Sequence, residues 1–138
     1  MSKRSRRAAS AAGAGAAAVR PTVTVCRGCC CGTPKVTGLD HVAQLRELRA
    51  ALEVTATVRV TDCLDACERA NVIVVQPPTA GRVAGGRPVW LGLVNDRDAT
   101  ADIVAWIDSG GPGLTEPPGI LDLHAFSPSR RVRAELDG

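Results

Sequence analysis

Four cysteines in two closely spaced pairs are the residues of this chain best suited to chemistry. Cys26 and Cys31 are separated by four residues, Cys63 and Cys67 by three, and 31 residues lie between the pairs. Thiolates are soft anionic donors. Four of them converging from two loops suit an iron–sulfur cluster or zinc and suit magnesium or calcium poorly. A binuclear iron–sulfur core needs two thiolates on each iron, which two pairs supply. Zinc closes on four thiolates as well, and these spacings are permissible for it. Cys29 and Cys30 run directly into Cys31 and crowd the first loop, and either is an alternative to Cys31 or Cys26 as a ligand.

Other uses of the cysteines fit less well. Three consecutive cysteines pair poorly with one another, and no leucine- or isoleucine-rich secretory segment precedes them, so a reduced, cytoplasmic, metal-binding role is expected rather than a disulfide framework. Cys26-Arg27-Gly28-Cys29 is a C-x-x-C motif after a first strand, where a dithiol oxidoreductase would carry its reactive pair. That reading leaves Cys63 and Cys67 without a role. It also lacks the proline such enzymes place before the third strand, since none lies between Pro34 and Pro77.

The elements that must position the pairs follow from local patterning. Thr22–Val25 is short and β-branched, a strand. Asp40 caps a helix from about His41 to Leu52, with Val42, Leu45, Leu48 and Leu52 as its buried stripe. Glu53–Thr61 alternates as a second strand, with Val54, Ala56, Val58 and Val60 on one face. The second pair follows in a short turn of helix, DCLDACERA. Val72–Gln76 reads as a buried third strand, Pro77–Arg87 as a Gly/Pro loop and Val89–Val94 as a fourth strand. Asp98 is expected to cap a last helix carrying Ile103, Val104, Trp106 and Ile107, stopped at Gly110-Gly111-Pro112. A β-α-β crossover makes the first two strands parallel, so Cys26 and Cys63 follow them at the same end of the sheet. The expected fold class is α/β and thioredoxin-like, order β-α-β-β-β-α: a central four-stranded mixed sheet with a helix on each side.

The segments VCRGCCCG and TDCLDACERANVIVVQ resemble the thioredoxin-like 2Fe–2S ferredoxin family. That family includes the small iron–sulfur subunit of NADH:quinone oxidoreductase and related hydrogenase and formate dehydrogenase subunits. Cys63-Leu64-Asp65-Ala66-Cys67 stands where that subunit has Cys-Leu-Gly-Ala-Cys, and the resemblance covers about residues 21–109. It implies a single 2Fe–2S cluster held by Cys26, Cys31, Cys63 and Cys67, the first two on one iron and the last two on the other. It further implies one-electron transfer with a redox protein partner such as a flavoprotein or reductase, and a possible homodimer. The N-terminal helical region of the respiratory subunit has no counterpart here, which bears on docking to the usual flavoprotein.

Composition sets the remaining bounds. The length suits one domain. Residues 1–20 carry five basic side chains and no acid, while the other 118 residues carry twelve basic and fourteen acidic ones, so the net +3 belongs to the tail. An acidic domain whose aromatics are Trp90, Trp106 and Phe126 offers neither a basic footprint nor a stacking platform for nucleic acid. No stretch is long and apolar enough for a membrane span. Residues 1–20 read as a disordered basic Ala/Gly-rich tail. The alternative is an export signal with Arg6-Arg7 as its twin arginines, for which Ala and Gly give little hydrophobic drive. Residues 110–138 form a Pro/Gly-rich extension that packs on the body or docks a partner, ending in a solvated Arg130, Arg131 and Arg133.

Arg27, Lys35 and Arg69 lie close in sequence to the cysteines and would add positive field. Asp62, Asp65 and Glu68 flank the second pair as a solvated face or as an acidic patch that steers a basic partner. His41 is expected on an exposed helix start, and neither it nor His124 sits in a ligand pattern. The two tryptophans are expected in the core, and Gly85-Gly86 serves a turn. No nucleophile–base pair is visible, so an electron carrier is expected in preference to an enzyme. A structural zinc site or a redox-sensing interaction module is the other class left open.

Overall fold

Two β-branched runs, TVTVC and IVVQ, make the centre of a five-stranded mixed sheet. The structure, a computed structural model, describes residues 20–27, 31–33, 39–62, 64, 69–130, 132 and 133. Along them run β1 (Thr22–Cys26), α1 (His41–Ala51), β2 (Thr57–Thr61), β3 (Ile73–Gln76), α2 (Thr79–Val83), β4 (Val89–Leu91), α3 (Arg97–Asp108), a 3₁₀ turn (Gly119–Leu123) and β5 (Ala125–Phe126). The strand order is β2-β1-β3-β4-β5. β1 and β2 are parallel, joined through α1, and every other pairing is antiparallel. The expected four strands are joined by β5, which comes from the C-terminal extension and pairs Phe126 with Trp90 and Ala125 with Leu91.

Strand alternation divides the core in two. Val23, Val25, Ile73, Val75 and Leu91 point to one face, where Leu48 and Leu52 from α1 and Ile103, Trp106 and Ile107 from α3 cover them. The expected helix on each side is therefore corrected: both long helices pack on the same face. The opposite face carries Cys26, Val72, Val74 and Trp90, joined by Cys31, Leu64, Ala70 and Val132. Trp90 meets Phe126 edge-on, with ring centroids 6.1 Å apart. Both tryptophans are buried as core residues, and the Trp106 indole N–H donates to the Thr115 carbonyl at 2.8 Å. Leu121 is also buried, so part of the extension packs on the body.

Asp40 caps α1, its Oδ1 accepting from the Ala43 N–H at 3.0 Å. The buried stripe of that helix departs from expectation. Leu48 and Leu52 are buried, Leu45 is half-buried, and Val42 is 72% exposed. Gln44 is buried in place of Val42, because its amide is fully engaged: Nε2 donates to the Val94 carbonyl (2.9 Å) and to Thr100 Oγ1 (3.3 Å), and Oε1 accepts from Arg27. At α3 the cap is Asp96 and not Asp98: its Oδ1 accepts from the Ala99 N–H at 2.7 Å, leaving Asp98 in the first turn.

β2 starts only at Thr57, leaving Val54 exposed in the turn after α1. β4 stops at Leu91, and Leu93 beyond it has φ +58°, a left-handed conformation that departs from extended strand geometry. Within the expected 77–87 loop lies the short α2. A Cβ on its Gly81 would collide with the Pro112 carbonyl oxygen, so α2 packs backbone against backbone on the turn after α3.

Leu48 lies at the centre of the helix-covered face with no exposed surface. Leu48→Ala is expected to cost about 2–5 kcal/mol, from lost burial plus the cavity left behind. Urea unfolding would show this as a lower midpoint at unchanged slope.

Candidate metal centre

The first cysteine pair sits at the end of β1. Cys26 is the last residue of that strand, on the face opposite the helices, paired in register with Thr61 of β2. The Cys26 N–H donates to the Val72 carbonyl (3.1 Å) and the Arg27 N–H to the Thr61 carbonyl (3.0 Å), so β1 ends clamped between its neighbours. Cys31 returns to the same place. The Cys31 and Cys26 side chains hydrogen bond to each other, and the Val72 N–H donates to Cys31 Sγ at 3.4 Å. Both sulfurs are buried.

The chain on both sides of Cys63 closes on this pair. The Cys26 thiol donates to the carbonyl of Asp62 at 3.6 Å, and Leu64 is buried in the cluster that holds Cys26 and Cys31. Cys63 and Cys67, with Cys29, Cys30, Lys35, Asp65, Glu68 and Arg131, lie outside the described residues, as do residues 1–19 and the turn expected around the second pair. Among the described residues no three His, Cys, Asp or Glu side chains converge as a metal site. Those described still fit a soft metal: two adjacent sulfurs, a backbone N–H aimed at one of them, and an apolar wall of Leu64, Val72, Val74 and Trp90.

The electrostatics are those of a buried thiol, Cys31, pushed up beside a cation. The hydrogen bond to Cys26 and burial push the Cys31 thiol well above its usual value, while the Val72 N–H and Arg27 pull the other way. A thiol pushed up in this way is a weak nucleophile, and a metal held there would have to displace its proton. Burial lowers the Arg27 pKa, opposed by Cys31 and Cys26. Its guanidinium is tied down: Nη1 donates to the Cys26 carbonyl (3.0 Å), and Nη2 to Gln44 Oε1 (2.7 Å) and the His41 carbonyl (3.3 Å). Arg69 turns elsewhere, with its guanidinium carbon 4.6 Å from the centre of the Phe126 ring.

A polar hub that the sequence reading missed anchors the Cys31 loop. Asn71 is fully buried, and its Oδ1 accepts from the Gly32 N–H at 2.6 Å. Asn71 Nδ2 donates to Asn95 Oδ1 (3.0 Å) and faces His41 Nδ1 (3.2 Å), whose Nε2 reaches the Thr33 carbonyl (3.0 Å). His41 therefore belongs to this network and is half-buried, not the exposed helix start expected of it. With Nε2 donating to the Thr33 carbonyl, Nδ1 is the nitrogen that accepts from Asn71. Gly32 itself has φ +74°, and a Cβ there would run into the Arg27 side chain. The one sequence signal for the hub was a lone asparagine at the head of an apolar strand.

His124 lies away from the sulfurs, bonded through Nδ1 to the Gly92 carbonyl at 2.9 Å. No helix among the described residues is long and apolar enough to cross a membrane. Comparison with known proteins finds no matching family model, no matching curated protein and no matching solved structure, so the chain's own geometry carries the functional argument.

Proposed function

We propose that this protein is a one-electron carrier of the thioredoxin-like 2Fe–2S ferredoxin kind, holding one cluster through Cys26, Cys31, Cys63 and Cys67. The observation that carries the reading is the closure of the chain flanking Cys63 on the first pair: Asp62 through its carbonyl on the Cys26 sulfur, Leu64 through burial beside Cys26 and Cys31. Asp62 and Leu64, distant in sequence from β1, reach its end, where a four-thiolate site would need the second pair. A parallel β1–α1–β2 unit followed by antiparallel β3 and β4 and then α3 supports the thioredoxin-like assignment.

When bound, the cluster would supply a site that gains and loses one electron without breaking bonds. The chain's own residues set the conditions for that change. The Val72 N–H and the Arg27 guanidinium stabilise negative charge on the sulfurs, and both favour the reduced form. Leu64, Val72, Val74 and Trp90 keep water away from one side. Asn71 holds Gly32, and with it the Cys31 loop, against β3. Electron exchange with a flavoprotein or reductase in a reducing, cytoplasmic setting is the role this arrangement suits.

Anaerobic redox titration tests the reading. A brown protein whose visible absorption bleaches with one electron per chain, and returns on reoxidation, is the expected result. A colourless protein with no redox step would move the four thiols to structural zinc or to an interaction module.

A further inference from the structure

The outward face of α1 carries exposed apolar and basic side chains side by side. Val42, Leu45, Arg46 and Arg49 recur at helical spacing on one side of the helix, and together with Arg27 and Gly32 they line an open depression of about 410 Å³. Val42 is 72% exposed there, and Leu45 only half covered. Arg46 and Arg49 are exposed, and among the described residues neither makes an ion pair or a side-chain hydrogen bond. The one acid of α1, Glu47, instead faces Arg97, 3.4 Å away.

Three arginines around an apolar floor, with no acid in the lining among the described residues, stand out on a domain whose overall charge is negative. Such a local reversal of sign orients an incoming protein as well as attracting it. Its place matters as much as its charge. Gly32 follows Cys31 directly, and Arg27 follows Cys26, so the depression adjoins the loop that carries the first cysteine pair.

We propose that this depression is the docking surface for an acidic protein partner, which covers Val42 and Leu45 and pairs its carboxylates with Arg46 and Arg49. The electron-exchange part of this proposal rests on the carrier reading above; the surface itself does not. Asp62 and its neighbours around the second pair, expected to steer a basic partner, are on this account secondary.

Two measurements on the full chain separate the claims. In the first, backbone amide shifts of isotope-labelled protein are followed at low ionic strength while an acidic soluble cytochrome is added, and then the basic cytochrome c. Shifts confined to residues 41–49 and 31–33 with the acidic probe, abolished in Arg46→Glu/Arg49→Glu, are expected. Equal shifts elsewhere, or a preference for cytochrome c on this face, would overturn the docking surface.

In the second, one electron passes from dithionite-reduced protein to the ferric haem of the acidic probe, which becomes ferrous. The double variant is expected to slow this about tenfold or more at low salt, while Arg82→Glu on α2 leaves it unchanged. A rate unmoved by the double variant overturns the surface and leaves the carrier reading intact. A colourless protein that still binds the probe on α1 ends the carrier reading and keeps the surface.

Discussion

Cys31→Ser is expected to leave the protein folded and without iron, and Cys26→Ser and Cys63→Ser to do the same. A serine hydroxyl is a hard donor that stays protonated at neutral pH, so it replaces a thiolate poorly on iron. The fold should tolerate the change at Cys31, because the Val72 N–H that now meets the sulfur at 3.4 Å can meet a hydroxyl oxygen instead. Cys30→Ser is the internal comparison and should keep its full iron content. Iron retained in Cys31→Ser and lost in Cys30→Ser would reassign the ligand in the first loop. Iron retained in Cys63→Ser would remove the four-thiolate account altogether. Circular dichroism on each variant separates loss of metal from loss of fold.

Asn71→Ala should produce the second large effect, and it acts on stability and metal retention together. The side chain is fully buried and serves the Gly32 N–H, Asn95 and His41 at once. Alanine removes those partners without admitting water easily, so buried polar groups are left unsatisfied at about 1–3 kcal/mol each where no replacement is found. A net loss of about 3 kcal/mol is expected in urea unfolding of the apo-protein. The Cys31 loop also loses its tether to β3, and iron should then leave to a chelator faster than from the wild type. His41→Ala cuts one branch only and should fall between the two. An Asn71→Ala protein with wild-type stability and wild-type iron loss would mean that the hub positions nothing.

Much of the sheet was legible because its central strands carry their own signal. Thr22–Val25 and Val72–Gln76 are β-branched runs between turn residues, and β1 and β3 lie there to within a residue at one end. Asp40 before an apolar-periodic run marked the start of α1 correctly. What failed depends on distant partners. Val42 fits a helical stripe as well as Gln44 does, until Val94, Thr100 and Arg27 arrive to satisfy the amide. Asp96 and Asp98 are equally good caps in isolation, and backbone geometry chose the first. Nothing local states which face of the sheet α3 will cover. β5, two residues long, is too short for periodicity to register.

The candidate site divides in the same way. Cysteine spacing raised the expectation of a soft-metal site; the structure brings Cys26 and Cys31 together and packs Leu64 beside them, while Cys63 and Cys67 lie outside the described residues. The sequence reading placed Arg27 near the sulfurs but could not show that Gln44 and two carbonyls hold its guanidinium there. Asn71 was invisible because its value lies in bonds to Gly32, 39 residues earlier, and to Asn95, 24 later.

The most direct test of the central claim is the iron, acid-labile sulfide and zinc content of protein purified without oxygen. The account expects about two irons and two sulfides per chain and no stoichiometric zinc. One zinc per chain with neither iron nor sulfide would contradict it, and would leave Cys26, Cys31, Cys63 and Cys67 as a structural clasp.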